Sequence, residues 1–109
     1  MGNQIERIDF SSDTIKLVDE GIDDRAAKKL AKLLRDNVHV KNLYLSWNKI
    51  SNRGVDKFAT LLTTNRTLRI LDLGSNRIYD PGALSLAAAI RNNPVTALHE
   101  LHLHQNHIT

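Results

Sequence analysis

The stretch "LYLSWNKI", Leu43 to Ile50, returns as "LDLGSNRI" from Leu71 to Ile78 and as "LHLHQNHI" from Leu101 to Ile108. Leucine, leucine, asparagine and isoleucine keep their offsets in all three, while everything between them varies. A degenerate copy, "IKLVDEGI", begins at Ile15, with Glu20 in the asparagine position and Ser12 where later copies have Val40, Leu68 and Leu98. The starts at Ile15, Leu43, Leu71 and Leu101 are 28, 28 and 30 residues apart, and the extra two residues fall in "NNPVTAL", around Pro94. A constant period of this size signals stacked units, because one such unit cannot bury its apolar face alone.

Each copy contains two shorter periodicities. Leu43 and Leu45 alternate with Tyr44 and Ser46, the period of a short strand. The segments that follow, "DDRAAKKLAKLLRDN", "SNRGVDKFATLLTTN" and "YDPGALSLAAAIRNN", space their apolar residues as helices do. These are Ala27, Leu30, Ala31, Leu33 and Leu34, then Val55, Phe58, Ala59, Leu61 and Leu62, then Ala83, Leu86, Ala87, Ala89 and Ile90. Asp23, Ser51 and Asp80 stand where they can cap or charge-complement the helix starts, and Pro81 suits a first turn. The recurring leucines and isoleucine therefore point inward and stack on their equivalents. Asn48, Asn76 and Asn106 stand where the chain leaves the strand, and their amides can both donate to and accept from unpaired backbone groups. Gly54 and Gly82, early in two helices, mark close packing, whereas the first copy accepts Ala26.

On these residues the chain resembles a leucine-rich repeat protein of the ribonuclease-inhibitor-like subtype. The pattern L-x-x-L-x-L-x-x-N-x-I-x-x-x-G runs from Val40 to Gly54 and from Leu68 to Gly82, with asparagine where parts of the subtype have cysteine. The resemblance implies an α/β solenoid of about three and a half repeats, parallel strands on the concave face and helices on the convex face. Residues 1–109 then form a single domain: a cap over residues 1–14, repeats starting near 15, 43 and 71, and a partial repeat near 101. Because the last copy reaches Thr109 before any helix, its strand, Leu101 to His104, is expected to meet another chain. The simplest form is an end-to-end two-fold dimer, with a frayed monomer as the alternative.

Composition bounds the function. The 109 residues suffice for one domain, and 41% hydrophobic with 25% charged residues is ordinary for a globular protein. No apolar run is long enough for a membrane span. "MGNQIERIDF" lacks the apolar core of a secretion signal, and Glu6 stands where a myristoylation motif needs Ser or Thr. Cysteine is absent, which excludes disulfides, thiolate nucleophiles and cysteine-based zinc sites and favours a reducing, cytoplasmic setting. Residues 1 to 24 hold seven acids against two basic residues, net −5, so the remainder holds +8 of the overall +3. Those positive residues are spread over several repeats and mixed with acids, the pattern of a solvated surface, so neither nucleic acid nor membrane is expected as partner. The triplet Asn65-Arg66-Thr67 fits the N-glycosylation pattern and is read as chance.

Residues between the inward leucines face the concave side. Across copies they form three columns: Lys16, Tyr44, Asp72 and His102; Val18, Ser46, Gly74 and His104; Asp19, Trp47, Ser75 and Gln105. Tyr44 and Trp47 share one exposed face, and such aromatics dominate interfaces. The competing reading has Trp47 covering the rim of the core. His102 and His104, two apart on one strand, are close enough to share a metal ion, but metal sites need three or four ligands and the preceding copy offers only Asp72. They are therefore read as a solvated or partner-facing pair, with no metal and no cofactor. Lys28, Lys32 and Arg35 form a solvated basic stripe on the convex side, where the third helix offers Leu84, Ala88 and Arg91.

Phosphate loops, nucleophile elbows and HExxH motifs are all missing, so the chain is not read as an enzyme. The expected function is binding of another protein through Tyr44, Trp47, Asp72, His102 and His104. The alternative is a small-GTPase regulator similar to the Ran GTPase-activating protein, presenting Asn52, Arg53 and Asp80.

Overall fold

A computed structural model describes residues 5–109 of the chain. The sequence readings that rest on residues 1–4, the missing leader, the missing myristoylation site and the start of the cap, lie outside the described residues. After a short 3-10 turn at Ile5–Arg7, strands and helices alternate: β1 (Thr14–Lys16), α1 (Asp24–Leu34), β2 (Asn42–Tyr44), α2 (Asn52–Leu62), β3 (Ile70–Asp72), α3 (Asp80–Arg91) and β4 (Glu100–His102). The four strands form one parallel sheet in chain order, β1-β2-β3-β4. Its register aligns Ile15, Leu43, Leu71 and Leu101, the four starting positions of the sequence repeat.

Curvature follows from unequal spacing. Paired strands lie about 4.8 Å apart, whereas packed helices need about 8–10 Å. Stacking one strand and one helix per complete repeat makes the strand side shorter. The fold is a leucine-rich repeat solenoid with its sheet on the concave face and its helices on the convex face.

The core lies between these layers. Leu43, Leu45, Ile50, Leu71, Leu73 and Ile78 are fully buried, and Leu30, Phe58 and Leu86 meet them from the helices. Ile5 is buried in the same cluster, and Ile8 and Phe10 pack against it. In the last copy Leu101 and Leu103 are half-buried and Ile108 is exposed, because no helix lies over them. The helical apolar spacing holds with two exceptions: Leu33 and Ala87 face solvent.

Three ladders of polar side chains link successive repeats. In the first, the Asn48 amide donates to the carbonyls of Leu17 (2.7 Å) and Leu45 (2.9 Å), and its oxygen accepts from the Glu20 and Ile22 N–H groups. Asn76 donates to Leu45, Leu73 and Gly74 and accepts from Ile50. Asn106 donates to Leu73 and Leu103 and accepts from Ile78. The second ladder runs through the helix starts. Asp24 accepts from the Ser51 N–H (2.7 Å), the Ser51 hydroxyl and the Gly54 N–H (3.1 Å), Asn52 accepts from the Tyr79 N–H, and Asp80 accepts from the Thr109 N–H and hydroxyl. The third follows the helix ends, where Asn37 and Asn65 each accept from two N–H groups of the next turn and Asn93 donates back to Leu62 and Asn65.

The second ladder revises the expected capping. Asp23 does cap α1, accepting from the Ala26 N–H at 2.9 Å. Ser51 precedes α2 without a side-chain cap bond, and Tyr79, not Asp80, precedes α3. Asp80 is the first helical residue, where its charge complements the helix start, and its carboxylate also serves the following repeat.

Gly54 and Gly82 occupy tight points between successive helices. A Cβ on Gly54 would lie 2.6 Å from Asp24 Oδ1 and 2.8 Å from Ile50 Cγ2; one on Gly82 would lie 2.6 Å from Asn52 Oδ1. Ala26 fits the equivalent place because no α-helix precedes α1 among the described residues. Gly54→Leu is expected to lower stability by about 1–3 kcal/mol through overpacking. An unchanged denaturation midpoint would show that the site has room. Removal of Asn76 takes a donor from the Leu45, Leu73 and Gly74 carbonyls, which keep Asn48, Asn106 and the Trp47 N–H, and strips the buried Ile50 N–H of its acceptor, so Asn76→Ala is expected to cost about 2–3 kcal/mol in chemical denaturation. Asn76→Asp, which keeps the acceptor but faces three carbonyls with a negative charge, should be no better; a variant as stable as the parent would remove the ladder from the energetics.

Candidate functional site

The concave columns form as the alternation requires. Pairing places Lys16, Tyr44, Asp72 and His102 in one row, and backbone bonds from Asp19 to Ser46, Trp47 to Gly74 and Ser75 to His104 carry the register beyond the strand ends. Of the five site residues read from the sequence, Tyr44, Asp72 and His102 are half-buried on this row. His104 lies two residues beyond His102 and is exposed, its ring edge-on to that of His102 with centroids 6.4 Å apart. Trp47 has left the strand.

Trp47 belongs to a recurring bend. Asp19, Trp47, Ser75 and Gln105 all have positive φ, between 53° and 61°, the left-handed region where a side chain is sterically disfavoured. The bend itself is a property of the repeat, since four different residues adopt it. What is particular is the presence of a tryptophan there with 62% of its surface exposed. The exposure argues against Trp47 as a cover for the core, and it does not stack on Tyr44: the ring pairs among the described residues are Tyr79–His107 and His102–His104.

Asp72, His102 and His104 come together, with one ligand atom from each lying within 4.8 Å of the others. The Asp72 carboxylate also accepts from the Gly74 N–H at 3.0 Å. The Nε2 of His102 stands 2.9 Å from Glu100 Oε1. The sequence already sets these three side by side across adjacent copies; what it did not single out is Glu100, two residues before His102 on the same strand face.

On the convex side, Lys28, Lys32, Arg35 and Lys57 line a groove of about 420 Å³ between α1 and α2, floored by Ala31 and Leu61. All four cations are exposed. Two of the three residues expected to meet a GTPase are committed within the fold: Asn52 bonds to Tyr79, and Asp80 bonds to Thr109, which holds its carboxyl below the ordinary range through the Thr109 hydroxyl and N–H. The Asn65 side-chain oxygen likewise accepts from the Thr67 and Leu68 N–H groups. No helix among the described residues is long and apolar enough to cross a membrane.

A family model described as Leucine Rich repeat matches residues 36–59 and 64–87. Among solved structures, "Leiomodin-1 Actin-Binding Site 2 (ABS2)" superposes with a TM-score of 0.82 at 23% identity, covering 96% of this chain and 60% of that chain. At this identity the likeness establishes the fold, and this chain spans about 60% of that structure's length. No curated protein matches the chain at a significant level.

Because Trp47 is mostly exposed and sits in a left-handed bend, Trp47→Asn is expected to leave the unfolding midpoint unchanged or to raise it, within about 1 kcal/mol. A loss of several kcal/mol would return Trp47 to the role of core cover.

Proposed function

We propose that this chain is a non-catalytic module that binds another protein across its concave face through Tyr44, Trp47, Asp72, His102 and His104. The observation that carries the reading is Trp47, held 62% exposed at a bend where the equivalent residues are polar. A large apolar ring gains nothing from solvent, and buried in an interface it contributes more than most residue types. Beside it, the row from Lys16 to His102 offers both charges and an aromatic on a rigid sheet, the arrangement that gives orientation as well as adhesion.

Two finer assignments accompany the proposal. The 28-residue period with a full helix in each complete unit supports the ribonuclease-inhibitor-like subtype, and the absence of cysteine supports a cytoplasmic setting. The alternative of a small-GTPase regulator loses its footing, because Asn52 and Asp80 are occupied within the fold.

The leiomodin-1 structure carries an actin-binding title, so actin is the first partner to try. Purified actin and a host lysate would each be passed over the immobilised chain and over a Tyr44→Ala/Trp47→Ala variant with unchanged circular dichroism. The double variant is expected to lose at least tenfold of whatever the parent retains. Equal recovery of every retained protein by both forms would remove the concave face from the proposal.

A further inference from the structure

We infer that Asp72, His102 and His104 form a binding site for a divalent transition metal ion, most suitably Zn²⁺. Three ligands from three positions meet on one face because of the parallel register: Asp72 and His102 are Cα partners on β3 and β4, and His104 lies two residues further along the same face. Two imidazoles and a carboxylate are donors that suit zinc and its neighbours better than magnesium or calcium. The donor atoms lie within 4.8 Å of one another. Around a tetrahedral zinc with bonds of about 2.0–2.2 Å they would stand about 3.3–3.6 Å apart. Closing that difference takes on the order of 1 Å per side chain, within reach of χ rotations at a surface.

The surroundings hold these ligands in place. The Asp72 carboxylate is oriented by the Gly74 N–H. The His104 ring lies directly on Gly74, where any Cβ would overlap it, so the absent side chain is what lets the imidazole approach Asp72. Glu100 is not among the three ligands but takes the Nε2 proton of His102 in a hydrogen bond of 2.9 Å. A carboxylate only accepts, so neutral His102 bonded in this way carries its lone pair on Nδ1, the nitrogen a metal would use, with Glu100 as the outer partner that metal-bound histidines commonly have. The other three histidines do not belong to the cluster: His107 stacks on Tyr79 with centroids 4.7 Å apart, His99 bonds to the Ala97 carbonyl, and His39 lies after α1.

This site does not depend on the partner reading and can be tested without a partner. Zn²⁺ would be titrated into tag-free, chelator-washed protein, with heat read by calorimetry and imidazole signals by NMR. One equivalent should bind, shifting His102 and His104 and leaving His39 and His107 in place, and Mg²⁺ at the same concentration should shift neither. Asp72→Ala, His102→Ala and His104→Ala should each weaken binding at least tenfold, as should Gly74→Ala, which keeps all three ligands but displaces the His104 ring. His107→Ala should bind as the parent does. Absence of saturable binding, parent-like affinity in the three ligand variants, or an equal loss in His107→Ala would overturn the site.

Discussion

The structure depends on what becomes of the carbonyl groups where each strand ends. At the bend after β2 and β3 the chain turns through a left-handed residue, and the carbonyls of Leu45 and Leu73 face a buried interior with no strand to satisfy them. Buried without donors, each would cost on the order of 1–3 kcal/mol. One carboxamide per repeat meets the demand from both sides, donating to carbonyls of its own and the preceding copy and accepting from the next stretch of the preceding one. Asparagine suits this place because it carries two donors and an acceptor on a short arm, whereas aspartate would offer acceptors alone. The constraint runs between neighbours, so each repeat needs the next.

The same reciprocity sets the spacing of the stack. Asp24 reaches the Ser51 and Gly54 N–H groups only because Gly54 has no side chain, and the glycine is tolerated at a helix start because the carboxylate takes its N–H. Asn52 repeats the arrangement more weakly at Tyr79 and Gly82. Hydrophobic burial supplies most of the cohesion, but it is indifferent to small slips along the axis. These directional bonds are what hold Leu43 on Leu71 rather than a residue away.

Much of this was legible because periodicity is a statement about geometry. Leu43 with Leu45, the three asparagines and the glycines each recur for a reason that can be derived from one strand, one turn and one helix. What escaped was polar chemistry between copies. Asn37, Asn65 and Asn93 recur every 28 residues as plainly as the strand asparagines, and that spacing was the missed signal of the third ladder. Asp80 stands in the first turn of its own helix, where its charge suits the helix start, but its hydrogen-bond partner, Thr109, is 29 residues away. Trp47 was placed in its column correctly, but its left-handed backbone could not be anticipated from a bulky aromatic, a residue type that disfavours that region.

The concave face shows what this division of labour leaves free. With the fold held by buried asparagines, glycines and leucines, the row positions carry no structural duty, and Lys16, Tyr44, Asp72 and His102 follow one another without a common chemistry. A sheet that required those residues for its own stability would repeat them, as it repeats the leucines. Their variety, on strands spaced by the backbone alone, fixes the distances between unlike groups to within the tolerance of a hydrogen-bond ladder. Asp72 therefore meets His102 because both stand at the same step of adjacent copies, and His104 meets both because the intervening Gly74 leaves room. Function of any kind on this face is written in the departures from the repeat, and the rigidity that makes those departures usable comes from the residues that do not depart.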